Sequence, residues 1–211
     1  DMDRTLLEKE TASLYVRYQR EQGEASLYDL LRTIGWVLQY TAGVIDIDKV
    51  ARRALAPLRG SPESELTRKC EAWFPEYVQK YVSAGGRSRV REHLERGDVV
   101  AIVTGASVYA SRPLARLLGI PHIVSTVFEV DAQGLFTGLP EEPLCFREGK
   151  LQRARHFAER MGHSLDEAVF YSDSITDLPL LAAVKEAVAV NPDRRLAKEA
   201  QRRGWSIERW Y

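Results

Sequence analysis

The chain has 211 residues, enough for one well-filled core and a modest insertion. Basic and acidic residues balance at 30 each, so no positive excess points to nucleic acid or to an anionic membrane surface. Two cysteines, Cys70 and Cys145, make neither a disulfide framework nor a zinc-ligand spacing, which points to a reducing, cytoplasmic setting.

The chain opens on Asp1-Met2-Asp3-Arg4-Thr5, two carboxylates two residues apart. On a tight turn, one such carboxylate can attack an electrophile while the other handles the proton. A parallel-sheet enzyme presents a residue of this kind at the carboxyl end of a strand. About five to ten residues forming one core strand are therefore expected ahead of Asp1.

Residues 12–84 read as helical, with periodic Leu27, Leu30, Leu31, Ile34 and Leu38 and little strand signal. Aromatics are dense here, among them Tyr15, Tyr18, Tyr28, Trp36, Tyr40, Trp73, Tyr77 and Tyr81. These predict a helical subdomain with an aromatic core, inserted between residues 1–11 and 85–211 and closed off by Gly85-Gly86. Its most apolar stretch, Ile34 to Ile45, contains Gln39 and Gly43 and is too short to span a bilayer. No membrane partner is expected.

From residue 89 onward strands and helices alternate. Residues 98–104, 168–171 and 187–190 are nearly continuous apolar runs, the pattern of buried parallel strands. Helices are predicted over 109–118, 151–161, 179–184 and 194–203. The alternation predicts an α/β fold, a doubly wound parallel sheet with right-handed crossovers. Glu129 to Gly138 breaks the rhythm, and Val127 to Thr137 reads as a β-hairpin, either with a part in the chemistry or a sheet-edge flap with no direct role in it. The basic residues Arg194, Arg195, Arg202 and Arg203 read as a solvated helix face.

The strand ends carry the chemistry. Thr104 ends an apolar run and leads through Gly105-Ala106-Ser107 into a helix, where backbone N–H groups and a hydroxyl can cradle phosphate. Lys150 follows Gly149 at a helix start and can neutralise a phosphoryl group in transfer. Asp173 and Asp177, four apart, follow the next strand. Taken singly, these acids also suit helix caps or first-turn positions. Converging at strand ends, they repel one another unless a cation sits among them, and oxygen donors favour magnesium.

On these motifs the chain resembles the haloacid dehalogenase-like (HAD) superfamily, in its subclass I with a helical cap, which contains the phosphoserine phosphatases. Asp-x-Asp-x-Thr matches Asp1 to Thr5, and the hydroxyl after an apolar strand matches Thr104. The lysine matches Lys150, and the acid pair matches Asp173 and Asp177. The resemblance implies that Asp1 attacks phosphorus to give an aspartyl-phosphate and that Asp3 acts as acid, then base. It implies magnesium held by the Asp1 carboxylate, the Asp3 carbonyl and Asp173, with Asp177 supporting that shell. Thr104, the Gly105 amide and Lys150 would hold phosphoryl oxygens of a small phosphomonoester.

Glu10 has the spacing of the glutamate that meets the substrate ammonium in phosphoserine phosphatases. That points to an amine-bearing substrate such as phosphoserine; the competing reading is a residue decorating the first helix. Arg32, Arg52 and Arg53 are candidates for binding a substrate carboxylate. Two departures stand out: Arg4 where many relatives carry a small residue, and Ser172 in place of a frequent glycine.

Rival readings divide on the same residues. A phospho-acceptor receiver module has its acids in another chain order and lacks so long a helical insertion. A dehalogenase of this fold would not need Asp3 or Asp173, and a cation-pumping ATPase would need membrane spans. A phosphomutase shares every motif. A catalytically silent binding protein would not keep the full set of side chains.

Overall fold

The computed structural model describes residues 1–23 and 47–211. In chain order its helices and strands are α1 (Thr11–Glu21), α2 (Ile47–Leu55), α3 (Glu63–Trp73), α4 (Ala84–Glu95) and β1 (Ala101–Ser107). Then come α5 (Val108–Leu118), β2 (His122–Thr126), β3 (Phe128–Val130), β4 (Phe136–Pro140), α6 (Glu148–Arg160) and β5 (Val169–Ser172). The chain finishes with α7 (Leu178–Leu181), β6 (Glu186–Val190), α8 (Arg194–Arg203) and β7 (Ser206–Glu208).

The apolar runs form parallel strands, as their burial on both faces requires. β1 pairs with β2, placing Ala101 opposite His122 and Thr104 opposite Ser125. β5, β6 and β7 form a second parallel set, with Phe170 opposite Ala187 and Ala189 opposite Ile207. A cavity of about 620 Å³ lies between the two sets, lined by Ala101 and Val103 on one side and Phe170 and Tyr171 on the other. β2 escapes a reading of the sequence because its apolar core is only Ile123-Val124, flanked by His122 and two hydroxyl residues. α7 ends earlier than periodicity predicts, since the Ala183 N–H bonds the Leu180 carbonyl and tightens the last turn.

Among the described residues, the aromatics of the helical half make no core of their own. Trp73, fully buried, and Phe74 pack in one cluster with Met2, Leu6 and Leu7 of the first turn and with Ile102 and Leu114. Tyr15 meets the Trp73 ring edge-on at 5.4 Å. The neck of this half is tied by backbone bonds: Glu8 N–H to the Tyr81 carbonyl at 2.8 Å and Ser83 N–H to the Leu6 carbonyl at 2.9 Å. The predicted positions Leu27 to Leu38, with Tyr28, Arg32, Trp36 and Tyr40, lie outside the described residues.

Gly85 and Gly86 follow directly on the Ser83–Leu6 tie and form no loop of their own. They occupy the first turn of α4, which Ser83 caps by accepting from the Gly86 N–H at 3.1 Å. Their small size serves packing instead: a Cβ on Gly85 would come within 2.7 Å of the Trp210 ring.

The hairpin is a two-stranded antiparallel ribbon of its own, Phe128 opposite Pro140, rather than a strand added to the edge of the sheet. Backbone bonds fasten it to the helical half: Gly60 N–H to the Phe136 carbonyl at 2.8 Å, Phe136 N–H to Ser61 at 3.0 Å and Glu63 N–H to Gly134 at 3.0 Å. Beneath them Tyr109, Phe128 and Phe136 form a trio of ring contacts, and the Tyr109 hydroxyl donates to Glu63 at 2.9 Å. The basic face of α8 is solvated as expected, with Glu199 accepting from Arg202 and Arg203. Among the described residues no helix is long and apolar enough to cross a membrane.

Candidate active site

The first residues of the chain lie against the carboxyl end of β5, where the Asp1 nitrogen donates to the Tyr171 carbonyl at 2.7 Å. Beyond Asp1 a wide turn closes through the Leu7 N–H and the Met2 carbonyl at 2.9 Å. Arg4 occupies the left-handed region there, at φ 55°. Burial of Met2, Leu6 and Leu7 anchors this turn and leaves Asp1, Asp3 and Arg4 nearer its surface.

Lys150 links the stations. It is 4% exposed, and its Nζ donates to Asp1 Oδ1 at 2.9 Å and to Asp177 Oδ2 at 2.6 Å. Gly149 makes this placement possible, because a Cβ there would collide with the Leu144 carbonyl. Ser172 donates to the same Asp177 oxygen at 2.7 Å and accepts from the Ser174 N–H at 3.2 Å. The serine that replaces glycine thus holds the acid loop. Asp177 stands at the head of α7 without capping it, so its carboxylate is committed to Lys150 and Ser172.

Asp173 is buried beside this cluster, with Arg4 Nε 3.4 Å from its Oδ2. Burial first, then repulsion from Asp177, pushes its carboxyl up to about 7, while Arg4 and Lys150 pull the other way. Asp3 points elsewhere. Its two oxygens accept from the Thr11 N–H and the Thr11 hydroxyl, each at 3.0 Å, at the start of α1. Burial lifts Asp3 to about 6, and those two bonds restrain the rise.

Thr104 is 1% exposed and closes its own turn by accepting from the Ala106 N–H at 3.2 Å, with exposed Gly105 between them. Glu10 occupies the N-cap position of α1 but makes no cap bond. Its carboxylate, 22% exposed, lies 3.9 Å from Arg4 Nη1. Burial raises its pKa and Arg4 lowers it. Of the arginine candidates, Arg52 and Arg53 are exposed and Arg52 is bound to Glu142 at 3.1 Å.

The structure therefore joins Asp1, Lys150 and Asp177 directly, and Arg4 separately lies between Asp173 and Glu10. Two supporting residues escaped the sequence. Thr11 holds Asp3; its signal was a hydroxyl residue opening a helix. Asp193 donates its N–H to the Asp173 carbonyl at 2.8 Å and accepts from the Ile175 N–H at 2.8 Å while capping α8. Its signal was Asn191-Pro192-Asp193, a cap sequence straight after a buried strand.

The carboxylates of Asp1 and Asp173 and the carbonyl of Asp3 are hard oxygen donors, and Asp173 is a buried acid whose carboxyl is raised despite Arg4 beside it. That set fits a magnesium ion. Among the described residues no three His, Cys, Asp or Glu side chains could hold a metal by themselves, so the backbone carbonyl and water would complete the shell.

The profile of the haloacid dehalogenase-like hydrolases matches residues 1–182. The chain belongs to this family. It is 32% identical over 214 residues to a histidinol-phosphatase of Neisseria meningitidis serogroup C (strain 8013), covering 98% of this chain and 95% of the relative. It is 35% identical over 162 residues to phosphoserine phosphatase SerB1 of Mycobacterium tuberculosis (strain ATCC 25618 / H37Rv), covering 77% of this chain and 52% of that one. A solved phospho-aspartyl intermediate analogue of phosphoserine phosphatase shares the HAD fold, with a TM-score of 0.72 at 20% identity over 100% of this chain and 91% of that one. The chain is a phosphatase of the HAD family, whose phosphatases in general use magnesium.

Proposed function

We propose that the chain is a magnesium-dependent phosphomonoesterase that works through an aspartyl-phosphate on Asp1 and acts on a small, amine-bearing phosphorylated metabolite. The observation that carries this reading is the buried Lys150 ammonium held between the Asp1 and Asp177 carboxylates. An amine so placed fixes the Asp1 carboxylate and stands ready to donate to a phosphoryl oxygen arriving on it.

A carboxylate oxygen of Asp1 attacks phosphorus, the P–O bond to the alcohol breaks, and Asp3 gives its proton to the departing alkoxide. Asp3, now ionised, takes a proton from water as that water attacks the aspartyl-phosphate. Inorganic phosphate leaves and Asp1 is restored. A carboxyl near 6 suits both halves of this exchange, since it is available as acid and as base close to neutral pH. Lys150, Thr104 and the Gly105 amide hold the non-bridging phosphoryl oxygens. Asp1, the Asp3 carbonyl and Asp173 would hold magnesium, with Asp177 steadying them. Bound magnesium would supply charge neutralisation at the phosphoryl oxygens. Residues 12–84 are assigned as the cap over the 1–11 and 85–211 core, excluding bulk water.

The amine preference rests on Glu10, a partly buried carboxylate at the head of α1 that caps nothing. Histidinol and serine, named in two of the relatives, are both primary amines. The test is hydrolysis of phosphoserine, histidinol phosphate and amine-free phosphomonoesters with and without magnesium, run beside Asp1→Asn and Glu10→Gln. Asp1→Asn should be inactive and should form no acid-stable phosphoenzyme; turnover surviving in it overturns the nucleophile. Glu10→Gln should weaken the amine-bearing substrates selectively, and equal losses across both groups overturn that preference.

A further inference from the structure

Arg4 is exposed but not loosely placed. The left-handed backbone at φ 55° directs it out of the first turn, and its carbonyl accepts from the Tyr211 hydroxyl at 2.7 Å. Its guanidinium spans two acids, with Nε 3.4 Å from Asp173 Oδ2 and Nη1 3.9 Å from Glu10 Oε1. Glu10 is the more buried partner of that second pair, 22% exposed against 51% for Arg4.

We infer that Arg4 is a specificity-determining residue: as the resident counter-ion of Glu10, it sets how strongly the site prefers a substrate carrying an ammonium group. This rests on the proposed phosphatase reading, because it concerns ligands seated by their phosphoryl group. A bare Glu10 carboxylate repels a phosphate dianion and attracts an ammonium attached to it. Arg4 offsets both effects. With Arg4 in place, amine-free phosphates are tolerated and amine-bearing ones gain less than Glu10 alone would give. The pair is half open to water, so the effect is modest, about 3- to 5-fold in relative affinity.

The experiment measures binding of 2-aminoethylphosphonate and ethylphosphonate by calorimetry in magnesium-containing buffer. Neither probe can be hydrolysed as a phosphate ester, so the affinity ratio is read without turnover. Arg4→Asn is the variant of choice, since asparagine tolerates the left-handed backbone that most side chains resist. Arg4→Asn should raise the preference for the amine about 3- to 5-fold, and Arg4→Lys should leave it near the wild-type ratio. Combined with Glu10→Gln, Arg4→Asn should have no effect on the ratio. An unchanged ratio in Arg4→Asn, or the same change with and without Glu10, overturns the inference, as does failure of both phosphonates to bind any variant. If the ratio shifts as expected but the wild-type protein hydrolyses no phosphomonoester, the phosphatase reading fails while the Arg4–Glu10 coupling stands.

Discussion

The Lys150 ammonium lies 2.9 Å from the Asp1 carboxylate, a contact that crosses 149 positions of the chain. Both groups are largely withdrawn from water, with side-chain exposures of 4% and 11%, so their attraction is weakly screened and each depends on the other for compensation.

Lys150→Met should therefore cost stability as well as chemistry. It strands Asp1 and Asp177 without their shared cation, at about 3–5 kcal/mol. Thermal unfolding of the metal-free protein should drop by roughly 10 °C for a chain of this size. Turnover should fall by about 100-fold or more, as expected for loss of a group that stabilises transferring charge. Wild-type melting temperature in the variant would contradict the pairing.

Asp173 predicts a pH-dependent stability in the absence of metal. Its carboxyl is raised from the ordinary 3.8 to about 7, so the fold favours the protonated form. Stability from this group is highest at low pH and is lost as pH climbs from near 4 to near 7, by roughly 4 kcal/mol in all. Asp173→Asn, which never ionises, should gain in melting temperature over wild type across that window and hold the gain above it. Magnesium should raise the wild-type melting temperature at pH 8 and have little effect on the variant. A constant difference between the two proteins from pH 4 to pH 8 would dispose of the argument.

Thr11 predicts a shift in the pH–rate profile. Its hydroxyl donates to the ionised form of Asp3, so Thr11→Val should raise the Asp3 pKa above the present value of about 6. If protonated Asp3 starts the reaction, the alkaline limb of kcat/KM it governs moves to higher pH. Thr11→Ser, which keeps the hydroxyl, should leave that limb where it is. Movement to lower pH in Thr11→Val would exclude Asp3 as the acid.

Gly149 offers a test of positioning through the backbone. An alanine Cβ would meet the Leu144 carbonyl, and the start of α6 would have to shift, carrying Lys150 with it. A displacement near 1 Å at a reacting site costs about 100-fold in rate. Gly149→Ala should lose kcat on that scale; Gly162→Ala, with open space around a Cβ but a left-handed φ of 78°, should cost stability and leave kcat in place. Equal kinetic losses in the two variants would count against the close approach as the cause.

The sequence by itself determined which residue types stand at the strand ends and in what order. Lys150 and Asp173 each follow a local signal, a helix start or an apolar run, and lie where that signal put them, whereas β1 runs on past Thr104 to Ser107, through a register irregularity, so Thr104 sits inside its strand rather than at its end. The family relation was legible for the same reason, since its motifs are short and local. The tertiary structure alone decided the partners. It turned Asp3 toward Thr11, set Arg4 between Asp173 and Glu10, and gave Asp193 to the acid loop. It also merged Trp73 and Phe74 into the core beneath the first turn and fastened the hairpin to residues 60–63. Periodicity fixes which face of an element is buried. Which side chain meets which depends on strand order and on close packing between segments far apart in the chain, and a one-dimensional pattern carries neither.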